Sequence, residues 1–186
     1  SIPAETFYNC TSLTSVSIGT SISSIGSQAF AECSSLSQFT IPESVGSIGD
    51  KAFYDCTSLT GITIPAGVSS IGSNVFTGCS RLASISAASG NGTYASSDGC
   101  LYNKAMTRLI RCPEGKSGAK IATSTVTIGA GAFANCKSVT SLTVPDSVNT
   151  IETDAFSGSS ISTILIPASV TSVSYTHLRA HETTLH

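Results

Sequence analysis

Residues 30–53 read FAECSSLSQFTIPESVGSIGDKAF, and Phe53 begins the same pattern again. Phenylalanine recurs every 23 residues from Phe7 to Phe76, and it returns in register at Phe133 and Phe156. In every unit except the last, a cysteine lies three residues after the phenylalanine and a leucine or valine lies six residues after it. A fixed period of this length predicts a solenoid of stacked units, here called rungs, that contact mainly their neighbours.

The first half of each unit predicts a β-strand. Leu36, Phe39 and Ile41 precede Pro42, and alternation over the last apolar positions is typical of a strand with one buried face. Proline has no N–H and therefore ends the strand. Since the same pattern recurs one period later, we expect the strands to pair in parallel on one face of the solenoid.

The second half of each unit predicts a turn back towards the next strand. We expect Gly49 to take a positive φ and Asp50 to cap a single helical turn, on which Ala52, Phe53 and Cys56 share a face. The predicted fold class is an α/β repeat solenoid of the leucine-rich-repeat kind, with a parallel β-sheet on one face and short helical turns or loops on the other.

The regular array is interrupted between about residues 87 and 125. We interpret this segment as one expanded rung with a β-hairpin insert: Cys100–Asn103 outward, a turn over 104–107, and 108–112 returning. The regular pattern resumes at Ile128 and ends at Val173. The predicted organisation is therefore a solenoid over residues 1–173, followed by a tail, 174–186, that shares no slot with the repeat.

Seven cysteines occur, and five of them occupy one repeat slot. Such a ladder points its side chains in the same direction into the core, which favours buried free thiols over disulfides. Cys100 and Cys112 lie near the ends of the two hairpin arms. A bridge between them is conceivable, although two cysteines in apolar slots facing the core fit the pattern better.

Charged residues make up 11% of the chain, against about 25% in typical domains. The net charge of −2 provides no general basic field for nucleic acid, and no apolar run is long enough to insert into a membrane. Basic residues collect in the insert, where Lys104, Arg108 and Arg111 form either a solvated face or a docking patch for an acidic partner.

A row of hydroxyl side chains is predicted on the outer face of the strands. It is either a solubilising surface or a partner-binding face, because repeat proteins use such faces for partners. Its members are Ser17, Thr40, Thr63, Ser86 and Thr143.

Motifs of enzymes and of cofactor or metal sites are missing from residues 1–173. This part of the sequence has no histidine, no C-x-x-C and no glycine-rich phosphate loop, so we predict no catalytic residue, cofactor or metal. Two N-x-[ST] sequons occur, at Asn9 and Asn91, and we expect only Asn91 to be a plausible glycan acceptor, in a eukaryotic secretory pathway.

The pattern I-G-x-x-A-F-x-x-C-x-x-L-x-x-I-x-I-P resembles the BspA-type leucine-rich repeat, and the insert SSDGCLYNK is similar to a D-G-x-L-Y hairpin that recurs in that family. The chain departs from the pattern at the proline slot (Gly19 and Ala88), at a strand slot (Ala87) and at the glycine slot (Glu152).

The resemblance implies a secreted or surface-attached adhesin or interaction module, found outside the cell or on its surface, with a protein or glycan partner. It defines no binding residue. We expect this piece to be monomeric. A structural spacer, or a scaffold for an enzyme domain elsewhere in the parent chain, remains the alternative function.

The tail contains VSYTHL over residues 173–178, which looks like one reading frame of a sequencing-library adapter. We interpret 174–186 as read-through, with a natural polar cap on the last rung as the alternative.

Overall fold

The computed structural model describes residues 1–173, so the interpretation of the tail lies outside the described residues. Thirteen strands follow one another along the chain. Their bounds are β1 Ser24–Ile25, β2 Ser47–Ile48, β3 Gly61–Ile64, β4 Ser70–Ile71, β5 Ser84–Ala87, β6 Tyr94–Ser97, β7 Cys100–Asn103, β8 Arg108–Arg111, β9 Thr127–Ile128, β10 Ser141–Thr143, β11 Thr150–Ile151, β12 Thr163–Leu165 and β13 Ser172–Val173.

Two rows of parallel strands stack along the solenoid. The predicted row, which precedes the proline slot, is formed by β3 with β5 and by β10 with β12. A second row was not predicted: the two residues before the glycine slot pair between rungs in β1, β2 and β4, and again in β9, β11 and β13. The strand predicted at Leu36, Phe39 and Ile41 is not formed, so the rungs before β3 pair as strands in the second row alone.

The predicted helical turn is wrong, because residues 1–173 contain no helix. Residues two before and two after each phenylalanine have a positive φ, such as Lys51 at 54° and Asp55 at 54°, and this left-handed conformation interrupts a right-handed helix. The backbone N–H groups of the segment donate to the next rung instead, as Phe53 N does to Val75 O at 3.1 Å. The backbone N–H groups of this segment are therefore paired by hydrogen bonds between rungs and not by hydrogen bonds within a helix.

The role predicted for the glycine slot is also wrong in its mechanism. Gly49 has no positive φ. A Cβ at Gly49 would lie 2.5 Å from the backbone N of Ser27 in the preceding rung. The same clash, with a backbone atom at 2.5–2.7 Å, arises at Gly26, Gly72 and Gly129. Glycine is therefore needed because successive rungs touch here, backbone against backbone.

The core is a ladder of identical slots. The rings of Phe30 and Phe53 stack with centroids 5.4 Å apart and planes 6° apart, and Phe39 packs its edge against both. The hairpin insert divides the buried side chains into two clusters, one centred on Phe53 and the other on Phe133.

The cysteine ladder is formed by free thiols, as predicted. All seven cysteines are free, and every one except Cys10 is buried. The Cys56 thiol donates to Phe30 O at 3.1 Å and the Cys79 thiol donates to Phe53 O at 3.0 Å, so each bonds to the preceding rung. Burial raises the pKa of Cys79 to about 12 and that of Cys33 to about 11, which keeps both as inert thiols at neutral pH.

The predicted hairpin is present as β7 and β8, which pair antiparallel. An additional strand, β6, pairs antiparallel with β7 and makes the insert a three-stranded meander. Its last strand, β8, pairs in parallel with β9 and so returns the chain to the solenoid. Cys100 and Cys112 are both fully buried, as expected for apolar slots.

Candidate binding surfaces

The predicted hydroxyl row is exposed at each of its positions. Thr63 and Ser86 are direct partners in the pairing of β3 with β5, so their side chains stand side by side. With Thr40 they line a shallow groove of about 320 Å³ that also includes Phe39 and Glu43. We call this surface the sheet-face groove.

The structure does not bring the whole row together. Thr143 lies in β10 beyond the insert, where it pairs with Leu165, a side chain that is 59% exposed. Ser17 is exposed in the first rung but does not line the sheet-face groove. The insert therefore separates Thr40, Thr63 and Ser86 from the hydroxyl that follows it.

Intramolecular bonding distinguishes the groove hydroxyls from others on the surface. Hydroxyls at the edges of the rungs donate to carbonyls of the preceding rung, as Thr57 Oγ1 does to Ser34 O at 3.2 Å and Ser44 Oγ does to Ile22 O at 2.6 Å. Within residues 1–173, the hydroxyls of Thr40, Thr63 and Ser86 make no such bond. Their hydrogen-bonding capacity is directed only outward.

The basic residues of the insert hold intramolecular contacts. Arg108 forms a bidentate ion pair with Glu152 at 2.5 Å. Arg111 pairs with the buried Glu114 at 2.6 Å and also donates to Gly131 O. Lys104 is exposed, and its Nζ donates to Asn91 O at 2.6 Å.

The glycine slot of the rung beyond Gly129 holds Glu152, and its carboxylate is the partner of Arg108. The guanidinium passes over Gly129, where an added Cβ would lie 3.4 Å from Arg108 Nη2, and reaches the rung beyond. Hydrogen bonds from Arg108 hold the pKa of Glu152 below its usual value, and the same bonds raise the pKa of Arg108. Sequence reasoning marked Glu152 as a departure but gave no indication of its partner.

The expectation for the sequons is reversed. Asn91 is fully buried, and its side-chain amide donates to Pro65 O at 2.7 Å and to Val68 O at 2.9 Å. Its Oδ1 accepts from the N–H groups of Thr93 and Tyr94. A glycan has no access to this nitrogen in the folded chain, whereas Asn9 is exposed.

Residues 1–173 contain neither a metal-binding cluster nor a membrane-spanning helix. The cysteine, aspartate and glutamate side chains there include no group of three that could hold a metal ion. Over the same residues, no helix has the length and hydrophobicity needed to cross a membrane.

Comparison with solved structures gives close matches in fold. A leucine-rich cell surface protein from Faecalibacterium prausnitzii is 34% identical, with a TM-score of 0.78 over 91% of this chain and 45% of that one. A leucine-rich-repeat protein from Eubacterium ventriosum is 26% identical, with a TM-score of 0.75 over 92% of this chain and 53% of that one. The chain thus spans about half the length of these structures.

The pneumococcal vaccine antigen PcpA shares the fold at 24% identity, with a TM-score of 0.67 over 80% of this chain and 44% of that one. No curated protein matches the sequence. The model of the BspA type leucine-rich-repeat region matches in six copies, over residues 1–118 and 111–182. The chain therefore belongs to the BspA-type leucine-rich-repeat family.

Proposed function

We propose that this chain is a non-enzymatic interaction module of a cell-surface or secreted protein, and that it binds a protein or glycan partner through the sheet-face groove. The observation that carries the proposal is the set of outward-directed hydroxyls on Thr40, Thr63 and Ser86, which make no bond within residues 1–173 while edge hydroxyls bond to neighbouring rungs. A rigid surface of short donors and acceptors suits adhesion, since little side-chain entropy is lost when it is covered.

Location outside the cell is supported by similarity. The relative from F. prausnitzii is described as a leucine-rich cell surface protein, and it matches 91% of this chain. Leucine-rich-repeat solenoids as a class present extended binding faces. These two points favour a binding module over a spacer.

Ser17 and Thr143 lie outside the groove, and we propose them as additional contacts for the same partner. The hairpin cations are proposed as a secondary surface for an acidic partner. Lys104 is the best placed of them, because Arg108 and Arg111 already hold carboxylates of this chain. Lys104→Ser is therefore expected to weaken binding to an acidic partner and to make the affinity less dependent on salt concentration, without breaking an ion pair. An unchanged salt dependence would show that the hairpin is not part of the site.

The sheet-face proposal is tested with the double variant Thr40→Lys/Thr63→Lys, screened on a glycan array and on a panel of purified extracellular matrix proteins. Two lysines in the groove should abolish binding to any partner found, while the melting temperature stays nearly unchanged because both positions are exposed. The matched control is Ser12→Lys/Ser27→Lys, which adds the same charge at exposed positions away from the sheet face.

Partner binding that survives in the groove variant would contradict the proposal. Absence of any partner on both panels would favour the structural spacer instead. A collapse of the melting temperature in the groove variant alone would show that this face is buried in the folded protein.

A further inference from the structure

A second ladder of backbone hydrogen bonds runs along the turn side of the solenoid. In the rung of Phe53, the N–H groups of Lys51, Phe53 and Asp55 donate to carbonyls of the next rung at 2.9, 3.1 and 2.8 Å. The rungs of Phe7, Phe30 and Phe133 repeat the same three bonds. We call this the turn ladder; its N–H groups all point towards the following rung.

The turn ladder is left open at the rung of Phe76, directly before the insert. The three equivalent donors are the N–H groups of Asn74, Phe76 and Gly78. Gly78 N donates to the carboxylate Oε1 of Glu114 at 2.9 Å. The N–H groups of Asn74 and Phe76 make no hydrogen bond within residues 1–173.

The opening arises because the insert returns to the solenoid by a short route. β8 pairs with β9, and then Cys112 N donates to Ala132 O at 2.7 Å. This is the bond that Phe30 N makes to Ala52 O in a regular rung, so Cys112 occupies the phenylalanine slot. Cys112 follows Leu109 of β8 by three residues, whereas Phe53 follows the equivalent Ile48 by five. The shortened segment does not reach the first two donors.

A cleft of about 450 Å³ occupies the place of the missing segment. Asn74 and Phe76 lie on one wall, Leu101 and Ile110 also line it, and Ala130 lies on the side of the following rung. The carbonyl of Ala130, whose equivalent in the regular rung is that of Asp50, accepts no hydrogen bond within residues 1–173. The cleft thus offers backbone donors from one rung and a backbone acceptor from another.

We propose that this cleft binds an extended peptide segment of a partner protein, which completes the turn ladder by adding one strand of backbone. The carbonyls of the peptide accept from Asn74 N and Phe76 N, and its N–H donates to Ala130 O. An apolar side chain of the peptide packs on Leu101 and Ile110. Addition of backbone to an unpaired edge is an established mode of peptide recognition.

The charges around the cleft favour a neutral backbone over a carboxylate ligand. Arg111 is already paired with Glu114 at 2.6 Å, and its other amino group donates to Gly131 O. The Asp50 carboxylate lies against Ser73 N at 2.7 Å, at the edge of the same wall. Among residues 1–173, no unpaired cation lines the cleft to balance a further negative charge, whereas peptide carbonyls require no such balance.

The probe is a peptide with acetylated and amidated ends and the sequence of residues 73–78, SNVFTG, which carries no charge and supplies the three acceptor carbonyls of a regular rung. Titration of the full chain is followed by amide chemical shifts in ¹⁵N-labelled protein. We expect saturable shifts at the amides of Asn74 and Phe76, whereas those of Lys51 and Phe53 do not move. Absence of shifts at Asn74 and Phe76, or shifts confined to the sheet-face groove, would overturn the proposal.

A blocking variant gives an independent test. Ala130→Trp fills the cleft from the side of the following rung and should lower the affinity for the peptide by roughly tenfold or more. Ser27→Trp is the matched control, since Ser27 also lies three residues before a phenylalanine but in a rung whose ladder is complete. Equal affinity of the two variants for the peptide would contradict binding in the cleft. Thr40→Lys/Thr63→Lys should retain the peptide, so this site and the sheet-face groove can fail separately.

Discussion

The regular rungs before residue 87 and the expanded rung that follows them satisfy their backbones in different ways. In the regular rungs, each N–H group of the turn ladder donates to the carbonyl 22 residues later, and each phenylalanine ring stacks on the ring one period later. In the expanded rung, polar side chains supply the hydrogen-bond partners. Glu114 accepts from Gly78 N, and Asn91 donates to Pro65 O. The Tyr94 hydroxyl accepts from Ile71 N at 3.0 Å.

The difference shows what repetition contributes to the fold. A repeated backbone needs only apolar side chains of the right size, because each rung supplies the hydrogen-bond partners of the next. An interruption removes those partners, and each lost bond must be replaced by a particular polar residue. Where no such residue is present, as at Asn74 and Phe76, donors remain available for a ligand.

The largest expected effect is in the phenylalanine stack. Phe53→Ala removes a fully buried ring that contacts three others, and it should lower the free energy of unfolding by about 3–5 kcal/mol. Cys112→Ala, at the same slot of the expanded rung, should cost about 1 kcal/mol because it removes one sulfur atom. Urea denaturation of both variants measures the difference, and equal losses would contradict the larger contribution expected from the phenylalanine stack.

A smaller effect is expected at the glycine slot. Gly49→Ala places a methyl group 2.5 Å from Ser27 N and 2.8 Å from Gly26 C, both backbone atoms, and should cost about 1–3 kcal/mol. The control is Gly19→Ala, where no heavy atom lies within 4 Å and the change should stay within about 0.5 kcal/mol. If the two variants melt at the same temperature, contact between rungs does not explain the glycine.

The smallest effect concerns the ion pair that spans the end of the insert. The pKa of Glu152 is lowered in the folded chain, so the pair contributes stability above the ordinary glutamate pKa and loses it as the pH falls through the lowered one. Glu152→Gln should therefore destabilise at neutral pH and become harmless in acid. We expect less than about 1 kcal/mol, because the Arg108 and Glu152 side chains are 42% and 31% exposed.

The control for this pair is Asp146→Asn, which removes an exposed carboxylate that holds no ion pair within residues 1–173. A constant difference between Glu152→Gln and the parent from pH 7 to pH 3 would contradict the linkage.

Much of the fold was predictable from the sequence. The period of Phe30 and Phe53, and the alternation that ends at Ile64, correctly gave the solenoid, the parallel strands and the buried slots. The second row of strands is not predicted by the sequence pattern, because two residues, such as Ser47 and Ile48, are too few to show an alternation.

The turn was mistaken for a helix because the spacing of Ala52, Phe53 and Cys56 suits both structures. What excludes the helix is a positive φ at residues such as Lys51 and Gln28, which are not glycine and so give no local signal. The backbone bonds of the neighbouring rungs impose this conformation, and no single unit reveals them.

The candidate sites were predictable only in part. The exposure of Thr40, Thr63 and Ser86 followed from strand alternation. The contacts of Glu114 with Gly78 and of Glu152 with Arg108 join residues 36 and 44 positions apart, and the insert changes the rung length between them. The period that locates every regular contact therefore gave no guide to these.

Amide hydrogen exchange along the turn ladder tests the central claim most directly, that stacking of identical rungs satisfies the backbone and that the insert interrupts it. The amides of Lys51, Phe53 and Asp55 should be protected, and the hydrogen bond to Glu114 should protect the amide of Gly78. The amides of Asn74 and Phe76 should exchange far faster. Glu114→Ala, which removes the acceptor, should speed exchange at Gly78 and leave Lys51 unchanged. Equal protection at Phe53 and Phe76 would contradict the account.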